Sequence, residues 1–75
     1  MKLEEFIGEV TIAMDVEDDI EITGETNLAN EDYFDSLAQL GLIVLFETEF
    51  QITLTPETLF ANTIVNDLYL LTQRD

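Results

Sequence analysis

From Asp35 to Phe50 the chain reads Asp-Ser-Leu-Ala-Gln-Leu-Gly-Leu-Ile-Val-Leu-Phe-Glu-Thr-Glu-Phe, about fifteen residues without a turn signal. Leu42 to Phe46 is β-branched and aromatic enough for a strand, but strands of this kind run to about eight residues, so length predicts a helix. Asp35 suits the N-cap, because its carboxylate can accept from the free backbone N–H groups of the first turn. Ser36 then takes the first helical position, with its hydroxyl toward solvent. On a helical wheel Leu42, Ile43, Phe46 and Phe50 share one face, while Leu37, Leu40 and Val44 lie nearly opposite, beside Glu47. One apolar stripe is enough to bury a helix in a small domain, so the second is surplus to folding. Gly41 lies mid-helix, where propensity alone predicts that Ala would add about 0.5–1 kcal/mol.

The segments on either side are also helical. Leu3, Phe6, Ile7, Val10 and Met14 recur at helical spacing, with Glu4, Glu5 and Glu9 on the other side. That helix is expected to stop near Asp15 to Asp19. Thr55 followed by Pro56 marks a short helix start, with Leu59 and Phe60 as its apolar edge. Asn62-Thr63 reads as the opening of a last helix whose Ile64, Val65, Leu68 and Leu71 share a face. The pattern is that of one all-α domain over residues 1–75. Between the first two helices, Asp15 to Asp35 forms a long acidic loop with a turn at Thr23-Gly24-Glu25. Ile20, Ile22 and Leu28 are its expected apolar pins. A calcium loop starting at Asp15 does not match, since Ile20 stands where Gly is needed and Thr26 where Glu is needed.

Charge and missing residue types narrow the function. Seventeen acids against Lys2 and Arg74 give a net charge of -15. Such a chain cannot neutralise phosphates, which excludes nucleic acid as a partner and argues against an anionic membrane surface. Proteins with basic patches are the expected partners. With no Cys and no His, thiol nucleophiles, histidine bases and the usual zinc ligands are absent together. The longest apolar run, Leu40 to Phe46, is too short to span a bilayer, and no signal peptide is visible. A soluble cytoplasmic monomer is the expectation.

Asp35-Ser36-Leu37 followed by Leu40, Leu42-Ile43, Phe46-Glu47, Glu49-Phe50 and Ile52 resembles the second helix of the acyl carrier protein family, position by position. Thr63-Ile64-Val65-Asn66-Asp67-Leu68 resembles that family's last helix, and the similarity extends over all 75 residues. The resemblance implies a small four-helix bundle with a long loop between helices 1 and 2 and a short helix 3. It implies a carrier and not an enzyme, with Ser36, set between Asp35 and Leu37, as the attachment point of 4′-phosphopantetheine. Ser36 has no His or Lys partner in its motif to activate it, so a phosphopantetheinyl transferase, with Mg²⁺ and coenzyme A, would make the bond. Acyl groups would then ride as thioesters on the arm, presented to acyl-transferring or synthase enzymes with basic patches.

On the same resemblance, Leu37, Leu40 and Val44, ringed by Asp35 and Glu47, are candidates for the partner-docking stripe, the alternative being core packing against the long loop, and Leu40 could serve both. Phe46, Phe50, Ile64 and Leu68 are candidates to line an acyl cavity, and plain core packing would use them equally well. Many fatty-acid carriers have acids just after the serine, where this chain has Ala38 and Gly41; Phe34 stands before the motif. These departures suit a specialised carrier for polyketide, peptide, lipid-modification or aryl units as readily as a fatty-acid carrier. The rival reading is an acidic interaction module that is never modified, such as an inhibitor or nucleic-acid mimic. A mimic should spread its acids over the surface at phosphate-like spacing, whereas nine of these seventeen crowd into one loop.

Overall fold

A computed structural model of the protein describes residues 1–73. Four α-helices follow one another: α1 (Leu3–Ala13), α2 (Ser36–Glu49), α3 (Pro56–Ala61) and α4 (Val65–Thr72), with one 3₁₀ turn at Leu28–Asn30. The described residues contain no strand, only an isolated antiparallel bridge between Asn27 and Ile64. The all-α bundle expected from the sequence is the fold observed.

Each helix turns its periodic apolar residues into one core. From α1 come Phe6, Val10 and Met14, with Leu3 and Ile7 packed at the edge. From α2 come Ala38, Leu42, Leu45 and Phe46, a stripe at i, i+4, i+7 and i+8. Ala38 and Leu45 are core residues that the wheel reading left out, while Ile43 and Phe50 sit at the core's margin. Leu59 of α3 and Val65 and Leu68 of α4 complete it, with Leu54 from the preceding loop. Around Phe6 the rings of Phe46, Phe50 and Tyr69 lie 6.1, 5.9 and 5.4 Å away, the first edge-on at 85°. Such pairs add about 0.5–1.5 kcal/mol beyond burial, so α1 is held at its centre to both α2 and α4.

Helix α1 ends through backbone geometry. Asp15 takes a left-handed conformation (φ 56°), Asp15 N–H donates to the Ile12 carbonyl at 3.1 Å and Val16 N–H to the Thr11 carbonyl at 3.1 Å. This is the paired closure usually built on Gly, with Asp tolerated in its place and Val16 buried behind it.

At the crossing of α1 and α2 the two backbones nearly touch. A Cβ added at Gly41 would overlap the Ala13 carbonyl oxygen and lie 2.9 Å from its carbon. The expectation that Ala at this position stabilises is therefore corrected: helix propensity favours it, but the neighbouring helix occupies the space.

The long loop is fastened at its second half. Ile22 and Leu28 are buried as expected, but Ile20 is 38% exposed and pins nothing. Leu28 N–H donates to the Thr63 carbonyl at 2.9 Å, Val65 N–H to Thr26 at 3.0 Å and Asn66 N–H to Gly24 at 2.8 Å. A Cβ added at Gly24 would meet the amide tip of the exposed Asn66 side chain, which would have to turn aside to admit it. The same bonds correct the expected start of α4. Ile64 is its extended N-cap and the bridge partner of Asn27, so it leaves the apolar face shared by Val65 and Leu68.

Candidate functional site

The start of α2 is set by Asp35, whose Oδ1 accepts the Ala38 N–H at 2.8 Å while its carbonyl accepts the Gln39 N–H at 3.0 Å. Ser36 is the first helical residue and is exposed. Among the described residues the N–H groups of Ser36 and Leu37 have no hydrogen-bond acceptor. An accessible hydroxyl thus stands at a helix N-terminus that still has backbone donors to offer, the setting that favours a phosphate group. The nearest carboxylate, that of Asp35, is engaged in capping. No hydrogen bond joins the Ser36 hydroxyl to a protein base among the described residues, so any bond made at this oxygen needs a base from elsewhere.

Along α2 the exposed apolar residues continue from the serine. Leu37 is 77% exposed, Leu40 56% and Val44 49%, and Glu47 beside them is exposed too. Leu37, Leu40 and Val44 form one wall of an open groove of about 430 Å³. Its floor is the close crossing of Gly41 and Ala13, and its other wall is Ile12 of α1, itself 76% exposed. Ile12 was missed by sequence reasoning, although the signal was there: it is the apolar residue of α1 that falls outside the stripe of Leu3, Phe6, Ile7, Val10 and Met14. Without the α1–α2 crossing, nothing ties that position to the serine.

Two residues before Ser36 in sequence, Phe34 meets Phe60 of α3 edge-on, with centroids 6.3 Å apart, and Phe60 is 56% exposed. Beside it in sequence, Tyr33 has a buried hydroxyl with no hydrogen-bond partner. Burial, and then the charge of Glu31, raise its pKa above the ordinary value.

The four residues considered for an acyl cavity are not equivalent. Phe46 and Leu68 are fully buried in the core, Phe50 is partly buried against them, and Ile64 is 37% exposed at the cap of α4. Ile64 is thus separated from the other three by its place outside the core cluster.

A family model described as the phosphopantetheine attachment site matches residues 3–71. Comparison with curated proteins and with solved structures gives no match.

Proposed function

The chain belongs to the phosphopantetheine attachment site family, and from that premise we propose that it is an acyl carrier protein loaded at the hydroxyl of Ser36. The family's group is covalently bound 4′-phosphopantetheine. One observation supports Ser36 as its anchor: an exposed hydroxyl at the first position of α2, next to two backbone N–H groups without an acceptor. In the loading step, Ser36 Oγ forms a bond to the phosphorus of coenzyme A that carries the pantetheine. The bond from that phosphorus to the adenosine bisphosphate breaks, and the hydroxyl proton passes to a base on the transferase. When bound, the arm supplies a terminal thiol on which an acyl group is held as a thioester.

Leu37, Leu40, Val44 and Glu47 form the surface that partner enzymes approach. Their apolar side chains are exposed beside the attachment point, in a protein whose charge draws basic surfaces toward it. The partners are the transferase and the acyl-transferring or synthase enzymes of a specialised pathway, met in the cytoplasm. None of the described helices is long and apolar enough to cross a membrane.

Intact mass after incubation with coenzyme A, Mg²⁺ and a promiscuous phosphopantetheinyl transferase tests the assignment. Wild type gains one phosphopantetheine unit and Ser36→Ala gains none. An Ala variant that is still loaded would move the site elsewhere, and an unmodified wild type beside a loaded control carrier would remove the function.

A further inference from the structure

The groove beside Ser36 is not a feature of α2 alone. Leu37, Leu40 and Val44 form one wall and Ile12 the other, and Gly41 and Ala13, where the two backbones cross, are the smallest residues between them. Ile12 and Leu37 are the two most exposed large apolar residues of the described chain, at 76% and 77%, and they face the same space. Glu9 and Glu49 also line it, so an apolar centre is edged by acids. At about 430 Å³ the open groove has room for a bulky apolar side chain.

From this we infer that α1 is part of the docking surface: the protein that acts at Ser36 inserts an apolar side chain between Ile12 and the Leu37–Val44 wall, with basic residues of its own set against Glu9 and Glu49. This inference rests on the carrier reading and adds α1 to it. Charge complementarity selects the occupant. A second copy of this chain would bring another net charge of -15 onto an acidic rim, whereas a basic-rimmed enzyme surface is attracted to it. The apolar centre with a charged rim is the anatomy of a protein–protein contact, in which one or two central anchors dominate affinity.

The test is the rate at which a phosphopantetheinyl transferase loads Ser36 from coenzyme A in wild type, Ile12→Glu, Ile12→Ser and Leu70→Glu. Leu70 is 62% exposed on α4 and does not line the groove, so its variant carries the same change in charge and surface polarity elsewhere. We expect Ile12→Glu to lower kcat/KM about tenfold or more through KM, the loss of one central anchor. Ile12→Ser should fall between it and wild type, and Leu70→Glu should stay within about twofold. Circular dichroism melts should be alike for all four, since both positions are exposed. Equal slowing by Ile12→Glu and Leu70→Glu would reduce the effect to net charge, and no slowing by either Ile12 variant would remove α1 from the contact. Loading with octanoyl-coenzyme A supplies a further arm. Amide shifts at Ile12 and Ala13 that appear on acylation, with no enzyme present, would mean that the groove holds the cargo instead. Failure of wild type to load at all would strike the carrier reading itself and is separately visible by mass.

Discussion

Gly41 of α2 crosses Ala13 of α1 so closely that one methyl group at position 41 would overlap the Ala13 carbonyl oxygen. The obstacle is backbone at the end of a packed helix, not the tip of a flexible side chain. Overpacking of this kind costs about 1–3 kcal/mol, which outweighs the roughly 0.5–1 kcal/mol that helix propensity returns. Gly41→Ala should therefore lower the urea midpoint. Gly8 provides the contrast: it is exposed and a Cβ there meets nothing within 4 Å, so Gly8→Ala should raise stability by about 0.5–1 kcal/mol. If both substitutions stabilise, the close crossing is not the native one.

Val44 separates docking from folding. At 49% exposure it can carry a carboxylate into solvent, so Val44→Asp should change the unfolding free energy from urea titration by less than about 0.5 kcal/mol. Loading of Ser36 should nevertheless slow, because the charge faces an apolar group on the transferase. Two positions earlier, Leu42 is fully buried, and Leu42→Ala should cost about 2–5 kcal/mol. A Val44→Asp protein that unfolds would place Val44 in the core.

Stability should depend on ions. Nine acids lie between Asp15 and Asp35 with no basic residue among them, and their mutual repulsion acts over a Debye length of about 10 Å at 0.1 M salt. The melting temperature should rise with NaCl and rise further with millimolar Mg²⁺ or Ca²⁺. A melting curve indifferent to both would mean that the loop holds its acids too far apart to interact.

Tyr33 sets a limit at alkaline pH. Its folded pKa lies above the ordinary 10.0 because ionisation would place charge on a buried oxygen, near Glu31. A raised folded pKa gives stability that is fully present below pH 10 and is lost as pH rises through the folded value. Wild type should thus lose stability above pH 10 by an amount that Tyr33→Phe reduces. At neutral pH the same change removes an unpartnered buried hydroxyl and should be neutral or stabilising. Identical alkaline profiles for the two proteins would assign the loss to other groups.

The features legible in the sequence are those fixed locally. Asp35 caps Ala38 three residues on, so the start of α2 and the place of Ser36 could be read directly, as could Thr55, which caps Thr58 at 3.2 Å. The exposure of Leu37, Leu40 and Val44 followed from helical period. What escaped was decided by distant partners. Ile64 has the apolar character of the helix that follows it, but its neighbours Thr63 and Val65 pair with Leu28 and Thr26, which holds it extended. Ile20 alternates with Ile22 as a pin would, yet only Ile22 reaches the core. Gly41 looks like a helix blemish until Ala13 is beside it, and Ile12 gains a role only through that crossing.

The fastening of the loop to α4 has a consequence for how the chain is divided. Residues 22–30 are joined by burial and backbone pairing to Thr63, Val65 and Asn66, and therefore belong to the later part of the protein. Helix α1, closed at Val16, is the earlier part. Only Glu17, Asp18, Asp19, Ile20 and Glu21, all exposed, connect them. Opening the chain inside that pentapeptide severs one covalent link and no core contact, so the peptides 1–18 and 19–75 should reassemble on mixing, with Phe6, Val10 and Met14 as a plug in its socket, and recovery of helical circular dichroism checks this. The wall that bears Ile12 and the wall that bears Leu37 then lie on separate molecules, and the groove exists only where the two have met.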